Sequence, residues 1–319
     1  MRRVFAILTI IVLTLTSIAA YFVYKTTVAA NSSYDELERG EKSKLRDTAI
    51  EVHKDPFSVL LIGVEDYASG GNGGRADTLI VATFDPEDKT IKLLSIPRDT
   101  MVEIADSREM DKINHSFNGG KQNTVETVEN FLNIPIDYYA TVNFEAFKNT
   151  IDLLGGITVN VPFDFWEKSD VTNEKIYFTE GEMQLNGEES LAYARMRKRD
   201  PMGDFGRNER QKDIIKAIIE KAISPSTVFK IDDLTKEIGK NVETNLRTTE
   251  GVKIFQLYSD FNISDIETLK IEGENSTIDS IYYFIPNEDS IQSIQDTLLT
   301  HLKQEKALVS EDNYYEEEM

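Results

Sequence analysis

Residues 4–24 form a run of 21 uncharged, mostly apolar side chains between Arg3 and Lys25. As a helix rising about 1.5 Å per residue, this run spans roughly 31 Å, which is the thickness of a bilayer's hydrocarbon core. A cleaved signal peptide is the alternative, because small residues at 28–30 would suit cleavage, but its apolar region is usually only about 7–15 residues long. The run therefore predicts one uncleaved transmembrane helix.

The charges on either side of this run predict its orientation. Residues 1–30 contain three basic residues and no acidic one, whereas the other 289 residues carry a net charge of −24 within a chain total of −21. Basic flanks stay on the cytoplasmic side of a membrane. The sequence thus predicts a single-pass protein of the cell membrane, with a cytoplasmic N-terminus and an extracytoplasmic body.

Composition excludes several classes of function. The chain has no cysteine, which removes disulfides, thiolate metal sites and a cysteine nucleophile. Its three histidines are scattered and lack the His-Glu-x-x-His spacing of a zinc protease. The acidic body argues against a nucleic-acid-binding protein, whose surface is typically basic.

From residue 57 onward, short β-rich runs alternate with segments of helical periodicity. Residues 57–63, 78–84 and 90–96 predict strands, and residues 121–133 and 207–223 predict helices. This alternation predicts the α/β class, as an α-β-α sandwich with a central mixed sheet. We expect five segments: a cytoplasmic N-terminus and membrane anchor (1–30), a polar extracytoplasmic stalk (31–55), a catalytic domain (56–224), a C-terminal α/β extension packed on or continuing that domain (225–305) and an acidic tail (306–319).

Residues 195–212 form a basic island in the acidic body, with seven basic and three acidic residues. Five of the seven are arginine, whose guanidinium binds phosphate in a bidentate fashion. Arg195 and Arg197 are spaced as on one side of an extended segment, and Arg207, Arg210 and Gln211 as on one face of a helix. Convergence on one anion is one interpretation, and a solvated charged surface with local ion pairs is the other.

Two further clusters follow predicted strands. In the first, Glu65 and Asp66 precede a glycine-rich loop that leads to Arg75 and Asp77. Paired carboxylates on such loops suit a hard cation such as Mg²⁺, although a glycine loop with merely solubilising acids is the alternative. The second cluster, Arg98-Asp99, follows the third strand and is a weak signal by itself.

The order of these motifs resembles the LytR–CpsA–Psr family of membrane-anchored envelope proteins of Gram-positive bacteria. The resemblance covers residues 57 to about 223, whereas no family motif is evident from about Thr227 onward. The motifs that carry it are LLIGVED, GRADTLIVATF, LLSIPRDT, DKINHSF, the stretch from TVETVENFL to GGITVNV, and GEESLAYARMRKRDPMGDFGRNERQ.

The resemblance implies a transferase that moves a glycopolymer, such as wall teichoic acid, from undecaprenyl pyrophosphate onto peptidoglycan with the help of Mg²⁺. It also implies a hydrophobic pocket for the polyprenyl chain. Asp77 would bind the metal together with Glu65 or Asp66, a choice left open because many members read Gly-x-Asp where this chain has Gly63-Val64-Glu65. The pyrophosphate ligands carried over by position are Arg75, Arg98, Arg195, Arg197, Arg207 and Gln211.

Phosphoryl transfer needs mainly positioning and charge neutralisation, which arginines and Mg²⁺ supply. We therefore expect Arg98 and Asp77 to be catalytic. Asp99 is the candidate that takes a proton from the attacking sugar hydroxyl, with Asp204 as the alternative. A non-catalytic envelope sensor that captures polyprenyl phosphates is the rival hypothesis, and it would tolerate the loss of Asp77.

Overall fold

The structure is a computed structural model that describes residues 33–64, 75–224, 234 and 242–304. The predicted membrane-spanning run, the loop with Glu65 and Asp66, and the acidic tail lie outside these residues. In the described part of the chain, no helix is long and apolar enough to cross a membrane.

The described residues form fourteen strands, six α-helices and two short 3₁₀ helices. The strands are β1 (Phe57–Val64), β2 (Ala76–Asp85), β3 (Thr90–Ile96), β4 (Met101–Glu103), β5 (Met110–Lys112), β6 (Tyr138–Asn143), β7 (Ile157–Val161), β8 (Phe165–Lys168), β9 (Lys175–Phe178), β10 (Gly181–Leu185), β11 (Val242–Thr244), β12 (Ile266–Lys270), β13 (Gly273–Ile278) and β14 (Ile281–Pro286). The α-helices are α1 (Gly120–Leu132), α2 (Phe144–Leu154), α3 (Gly187–Arg195), α4 (Asp204–Ala222), α5 (Thr248–Leu257) and α6 (Glu288–His301), and the 3₁₀ helices are Ile113–Gly119 and Ile263–Asp265.

The central sheet has six strands in the order β11-β6-β1-β2-β3-β12. β1 pairs parallel with β6, and β3 pairs parallel with β12, while the other three neighbours are antiparallel. The predicted α/β fold with a central mixed sheet is thereby confirmed. The turn between β2 and β3 contains Pro86, a residue type common in tight turns.

Both faces of the sheet are covered by helices. Successive side chains of a strand point to opposite faces, and consecutive residues of β2 are buried, so both faces need a cover. On one face, Leu79 and Val81 of β2 share a core with α1 and α6. On the other face, Ile80 and Ala82 pack with α4 and α5.

A separate apolar cluster lies beside the sheet and joins α2, α3 and α4 to the small strands β7–β10. Its aromatic centre contains Phe165, Phe178 and Tyr193, with ring centroids 4.6–5.9 Å apart. α3 begins at a capping box in which Asn186 accepts from the Glu189 backbone and the Glu189 side chain accepts from the Asn186 backbone. This cap fixes the start of the segment that leads into the basic island.

Residues 33–55, which the composition predicted as a stalk, are attached to the sheet domain. Leu37 and Val52 are buried. The guanidinium of Arg46 donates to both carboxylate oxygens of Asp137 at 2.9 and 2.7 Å, and both side chains are buried. Tyr34 also forms a parallel bridge to Thr244. A polar composition did not indicate these contacts, because the attachment depends on a few isolated apolar side chains and buried ion pairs rather than on a continuous apolar face.

The C-terminal part belongs to the same sheet. β11 and β12 form its two edges, and α6 covers one face. The remaining hairpin, β13–β14, is joined to the loop after β3, where Phe284 donates its backbone N–H to the carbonyl of Asp99 at 2.9 Å. This contact brings the C-terminal hairpin to the end of β3, beside Arg98 and Asp99.

Candidate active site

The candidate site lies at one edge of the central sheet, where β1, β3 and β6 end and β2 begins. Because β2 is antiparallel to both β1 and β3, its first residues lie beside their last ones. Asp77 and Thr78 are therefore close to the loop that carries Arg98 and Asp99. These residues are about 20 positions apart in sequence but share one cleft.

Arg98 is the central cation of this cleft. Its guanidinium donates to the carboxylate of Asp77 at 2.6 Å, and its Nε lies 3.6 Å from Asp99. Asp99 also accepts a hydrogen bond from the ammonium of Lys112 at 2.8 Å. Lys112 ends β5, whose pairing with β4 places it beside the loop after β3. Two cations and two carboxylates thus alternate along the cleft.

The start of α4 supplies a second cationic group. Asp204, the first residue of the helix, lies 3.1 Å from the guanidinium of Arg207 and 3.6 Å from that of Arg197. The side chain of Arg207 is only 8% exposed, whereas that of Arg197 is 43% exposed. The cleft between this helix start and the Arg98 loop is lined by Pro97, Arg98, Asp99, Asp204, Phe205, Arg207, Asn208, Tyr282 and Phe284.

Electrostatics connects the two groups. Burial lowers the pKa of Arg207, and the positive charges of Arg98 and Arg197 lower it further. Burial would also lower the pKa of Arg98, but the hydrogen bond and charge of Asp77 outweigh it, so that this pKa is raised. Arg207 is therefore a cation whose surroundings penalise its charge, and an anion that entered the cleft would relieve that penalty.

Each of these two guanidinium groups has an unused donor. The Nε atoms of Arg98 and Arg207 are shielded from solvent and have no hydrogen-bond partner. Buried polar atoms are usually paired, and an unpaired donor costs about 1–3 kcal/mol. Two such donors on neighbouring cations are what a site for a phosphate or pyrophosphate requires.

Arg210 has a different environment, although the helical spacing placed it on one face with Arg207 and Gln211. It donates to the carbonyls of Tyr193 and Met196 and pairs with Asp200, and its side chain is only 2% exposed. Gly206 allows this arrangement, because a Cβ at that position would collide with the Asp200 carboxylate. The donors of Arg210 are thus used to connect α4 with the end of α3, and Arg210 is not among the residues that line the cleft.

Other predicted residues occupy the same sheet edge. Gln211 donates its side-chain amide to the hydroxyl of Thr78 at 3.1 Å, next to Asp77. The guanidinium of Arg195 lies 5.0 Å from the ring centroid of Phe144, the residue that follows β6. Arg75 is exposed immediately before β2.

Comparison with known proteins now decides the family. The LytR_cpsA_psr family model matches residues 20–300, which is most of the chain. This chain belongs to the LytR–CpsA–Psr family. The family match extends well beyond residue 223, where the motifs recognisable in the sequence ended.

The chain is also similar to named proteins and to solved structures. The chain is 50% identical over 308 residues to the polyisoprenyl-teichoic acid–peptidoglycan teichoic acid transferase TagV of Bacillus subtilis strain 168, covering 95% of this chain and 79% of TagV. The crystal structure of B. subtilis TagV matches with a TM-score of 0.72 at 52% identity, over 79% of this chain and 99% of the solved one. A structure of TagT bound to LIIa-WTA also matches with a TM-score of 0.72, at 34% identity over 85% of this chain and all of the solved one.

Three members of the LytR–CpsA–Psr cleft were not identified from the sequence. Lys112 lies in the DKINHSF motif, where its bond to Asp99 depends on the β4–β5 pairing. Tyr282 and Phe284 lie in the C-terminal hairpin, and the local sequence contains no pattern that connects them with residue 98. Aromatic residues in a predicted strand indicate a packed sheet at least as well as a binding site.

The predicted metal site lies only partly within the described residues. Asp77 is in the cleft, whereas Glu65 and Asp66 lie outside the described residues. Within residues 33–64, 75–224 and 242–304, no group of three or more histidines and acids is arranged to hold a metal. Asp77, Asp99 and Asp204 supply carboxylate oxygens in the cleft, the donor type that Mg²⁺ takes when it shares phosphate oxygens.

Proposed function

We propose that this protein transfers a teichoic-acid-type glycopolymer from a polyprenyl pyrophosphate carrier to peptidoglycan. The observation that carries the proposal is the pair of guanidinium groups of Arg98 and Arg207, whose Nε donors are shielded from solvent and unpaired in one cleft. The names of the relatives supply the reaction class, since TagV is a teichoic acid transferase and TagT binds a teichoic acid precursor.

The proposed reaction is an in-line displacement at phosphorus. A sugar hydroxyl of peptidoglycan attacks the phosphorus that carries the glycopolymer. A new P–O bond forms to that oxygen, the bond to the bridging oxygen breaks, and polyprenyl phosphate leaves. Arg98 and Arg207 would bind the pyrophosphate and neutralise the charge that develops on its oxygens, while Arg197 covers the more exposed side.

The proton of the attacking hydroxyl requires an acceptor. We assign it to Asp99, whose side chain is 13% exposed and held by Lys112 and Arg98 on two sides. Those contacts fix the carboxylate rather than leaving it to rotate, which suits a group that must meet one hydroxyl. Asp204 is engaged by Arg207 and Arg197 at the other wall of the cleft.

Mg²⁺ belongs to this proposal as a cofactor that neutralises phosphate charge when bound. Asp77 would hold it, together with Glu65 or Asp66, and Arg98 positions the Asp77 carboxylate through the 2.6 Å contact. We also propose that residues 4–24 anchor the protein in the cell membrane with the domain outside, which places the cleft in the compartment of peptidoglycan and near a lipid-linked donor.

The proposed function is tested with the full chain in phospholipid nanodiscs, a polyprenyl-pyrophosphate-linked teichoic acid precursor, peptidoglycan oligomers and Mg²⁺. We expect a phosphodiester-linked product by mass spectrometry. Arg98→Ala should reduce its rate of formation by about 10²–10³-fold, the typical cost of losing a donor that stabilises transition-state charge. Asp77→Ala should also reduce the rate, and added EDTA should do the same.

The matched control is Arg247→Ala. Arg247 is half-exposed and ion-paired with Glu41, and it follows the edge strand β11. The rate of product formation by Arg247→Ala should stay within about twofold of wild type, because an exposed ion pair contributes little to the stability of the fold. If wild-type protein makes no product but still binds the precursor, and Asp77→Ala binds equally well, the sensor hypothesis replaces the transferase.

A further inference from the structure

The C-terminal hairpin forms one wall of the cleft. Thr100 bridges to Phe284, and the Phe284 backbone N–H donates to the Asp99 carbonyl at 2.9 Å. The ring of Phe284 also packs edge-on against Phe205, the residue after Asp204, with centroids 5.7 Å apart. Gly273 permits the position of this ring, since a Cβ there would lie 2.6 Å from the Phe284 Cζ atom. The hairpin is thus held by both the Arg98 loop and the start of α4.

Tyr282 precedes Phe284 by two residues, so both side chains project from the same face of β14. Both line the cleft with Arg98, Asp99 and Asp204. Phe284 is buried, but Tyr282 remains 39% exposed at the cleft. The hairpin therefore offers the cleft one aromatic ring that a ligand can reach.

The polar end of Tyr282 already has a partner. Its hydroxyl donates to the side-chain oxygen of Asn275 on the facing strand at 2.7 Å. What Tyr282 offers a ligand is consequently the ring rather than the hydroxyl. Burial raises the pKa of Tyr282, as do the negative charges of Asp204 and Asp99, so the side chain stays neutral at physiological pH.

The groups around this ring indicate the chemistry of its ligand. The Lys112 ammonium lies 5.9 Å from the ring centroid, and the carboxylates of Asp99 and Asp204 are near enough to act on the phenol. A polyprenyl chain in this position would strip water from several charged groups without replacing their hydrogen bonds. A sugar ring would not, because its hydroxyls can bond to the charged groups while its apolar C–H face packs on the aromatic ring.

We propose that Tyr282, with Asp99 and Lys112, forms a subsite for the sugar ring next to the reacting phosphate. This inference rests on the proposed transferase function, because that reaction joins a donor sugar and an acceptor sugar through the reacting phosphate. The sugar is either the donor residue attached to the pyrophosphate or the acceptor residue of peptidoglycan. Both present the same pyranose chemistry to an aromatic ring, and the experiment separates them.

The subsite is tested by steady-state kinetics of the full chain in nanodiscs, with donor and acceptor concentrations varied separately. Tyr282→Thr removes the ring but retains a residue suited to an exposed strand. We expect it to raise KM about tenfold for the substrate whose sugar occupies the subsite, and to leave the other KM within about twofold. Tyr282→Phe should behave like wild type, because the ring is retained.

Tyr177→Thr is the matched control, since Tyr177 is an exposed tyrosine on β9, 66% accessible and paired across the hairpin with Trp166. Its KM values should match wild type, and the thermal midpoints of both threonine variants should be compared to show that Tyr282→Thr is folded. A donor KM increase identifies the donor sugar, and an acceptor KM increase identifies the acceptor sugar. Unchanged values for both substrates in Tyr282→Thr would overturn the subsite, as would an equal loss in Tyr282→Phe.

A binding measurement separates failure of the subsite from failure of the transferase proposal. Saturation-transfer NMR on the full chain would use two soluble probes, a peptidoglycan disaccharide and a farnesyl-pyrophosphate-linked disaccharide. Sugar protons of one probe should receive saturation from wild type and from Tyr282→Phe, but not from Tyr282→Thr. If wild type forms no product while this pattern holds, the transferase proposal fails and the sugar subsite stands. Saturation equal in all three proteins overturns the subsite whatever the kinetics show.

Discussion

Arg207 and Arg210 are three residues apart on α4, and both are buried, yet they occupy opposite kinds of environment. Arg210 uses its guanidinium on Asp200 and on two backbone carbonyls. Arg207 has Asp204 beside it at 3.1 Å, an unpaired Nε, and two other arginines close enough to lower its pKa. Arg210 is satisfied by the fold, whereas Arg207 keeps an unused donor.

Arginine density alone therefore does not locate an anion site. Burial of a charge is tolerated when every donor has a partner, and it then contributes to the fold. Burial with donors left over is a cost, and beside other cations in a cleft it indicates a place for an anion. The two residues therefore predict opposite mutational outcomes, one in stability and the other in transfer.

The largest expected effect is on stability at Arg210. Arg210→Met should lower the free energy of unfolding by about 3–5 kcal/mol, because it leaves the Asp200 carboxylate buried at 3% exposure without its partner. Urea unfolding of the full chain in detergent, followed by circular dichroism, measures this. Arg247→Met, at the exposed pair with Glu41, should cost less than about 1 kcal/mol. If Arg210→Met also lowered the free energy of unfolding by less than about 1 kcal/mol, the contrast between Arg207 and Arg210 would be removed.

The second effect is on transfer at Arg207. Arg207→Met should slow product formation by about 10²–10³-fold, since a cation that stabilises phosphate charge is lost. Its free energy of unfolding should change by less than about 1 kcal/mol, because methionine retains much of the buried volume and the penalised charge is removed. The transfer assay and the urea assay together check this. Equal destabilisation of the two methionine variants would show that Arg207 is also a structural residue.

The sequence predicted the main sheet and helices well, because their patterns are long and apolar. The predicted strands at 57–63, 78–84 and 90–96 correspond to β1, β2 and β3. β13 was not predicted, since its residues Gly273–Ile278 are mostly exposed and polar and pair only with β14. Short strands of this kind depend on their partners rather than on their own composition.

The site was predictable only in part, for a similar reason. Arg98, Asp77 and Arg207 stood out as charged groups at strand ends or in the basic island. Whether an arginine faces the cleft or the core depends on partners such as Asp200, which is itself one of the island's acids. Tyr282 is about 180 residues from Arg98 in sequence, and the contacts of Phe284 with Asp99, Thr100 and Phe205 bring them together.

The smallest expected effect tests the same distinction in a histidine far from the cleft. His301 lies near the β2–β3 turn, at the opposite end of the sheet, and its ring nitrogens bond to the hydroxyls of Thr83 and Thr90 at 2.7 and 2.9 Å. Burial lowers the pKa of His301, and the charge of Lys92 lowers it further. The folded state therefore binds a proton less readily than the unfolded chain.

For a base with a depressed pKa, stability is intact above the unfolded value of about 6.5 and declines as the pH falls below it. Between pH 7.5 and 5.5, wild type should lose more unfolding free energy than His301→Gln, by at most about 1.4 kcal/mol per pH unit. Urea titrations at the two pH values measure the difference, with His53→Gln as control because the His53 side chain is 42% exposed. A satisfied buried group should thus affect stability and its pH dependence. If His301→Gln instead changed the pH profile of transfer and left stability unaltered, the rule drawn from Arg207 and Arg210 would not extend beyond α4.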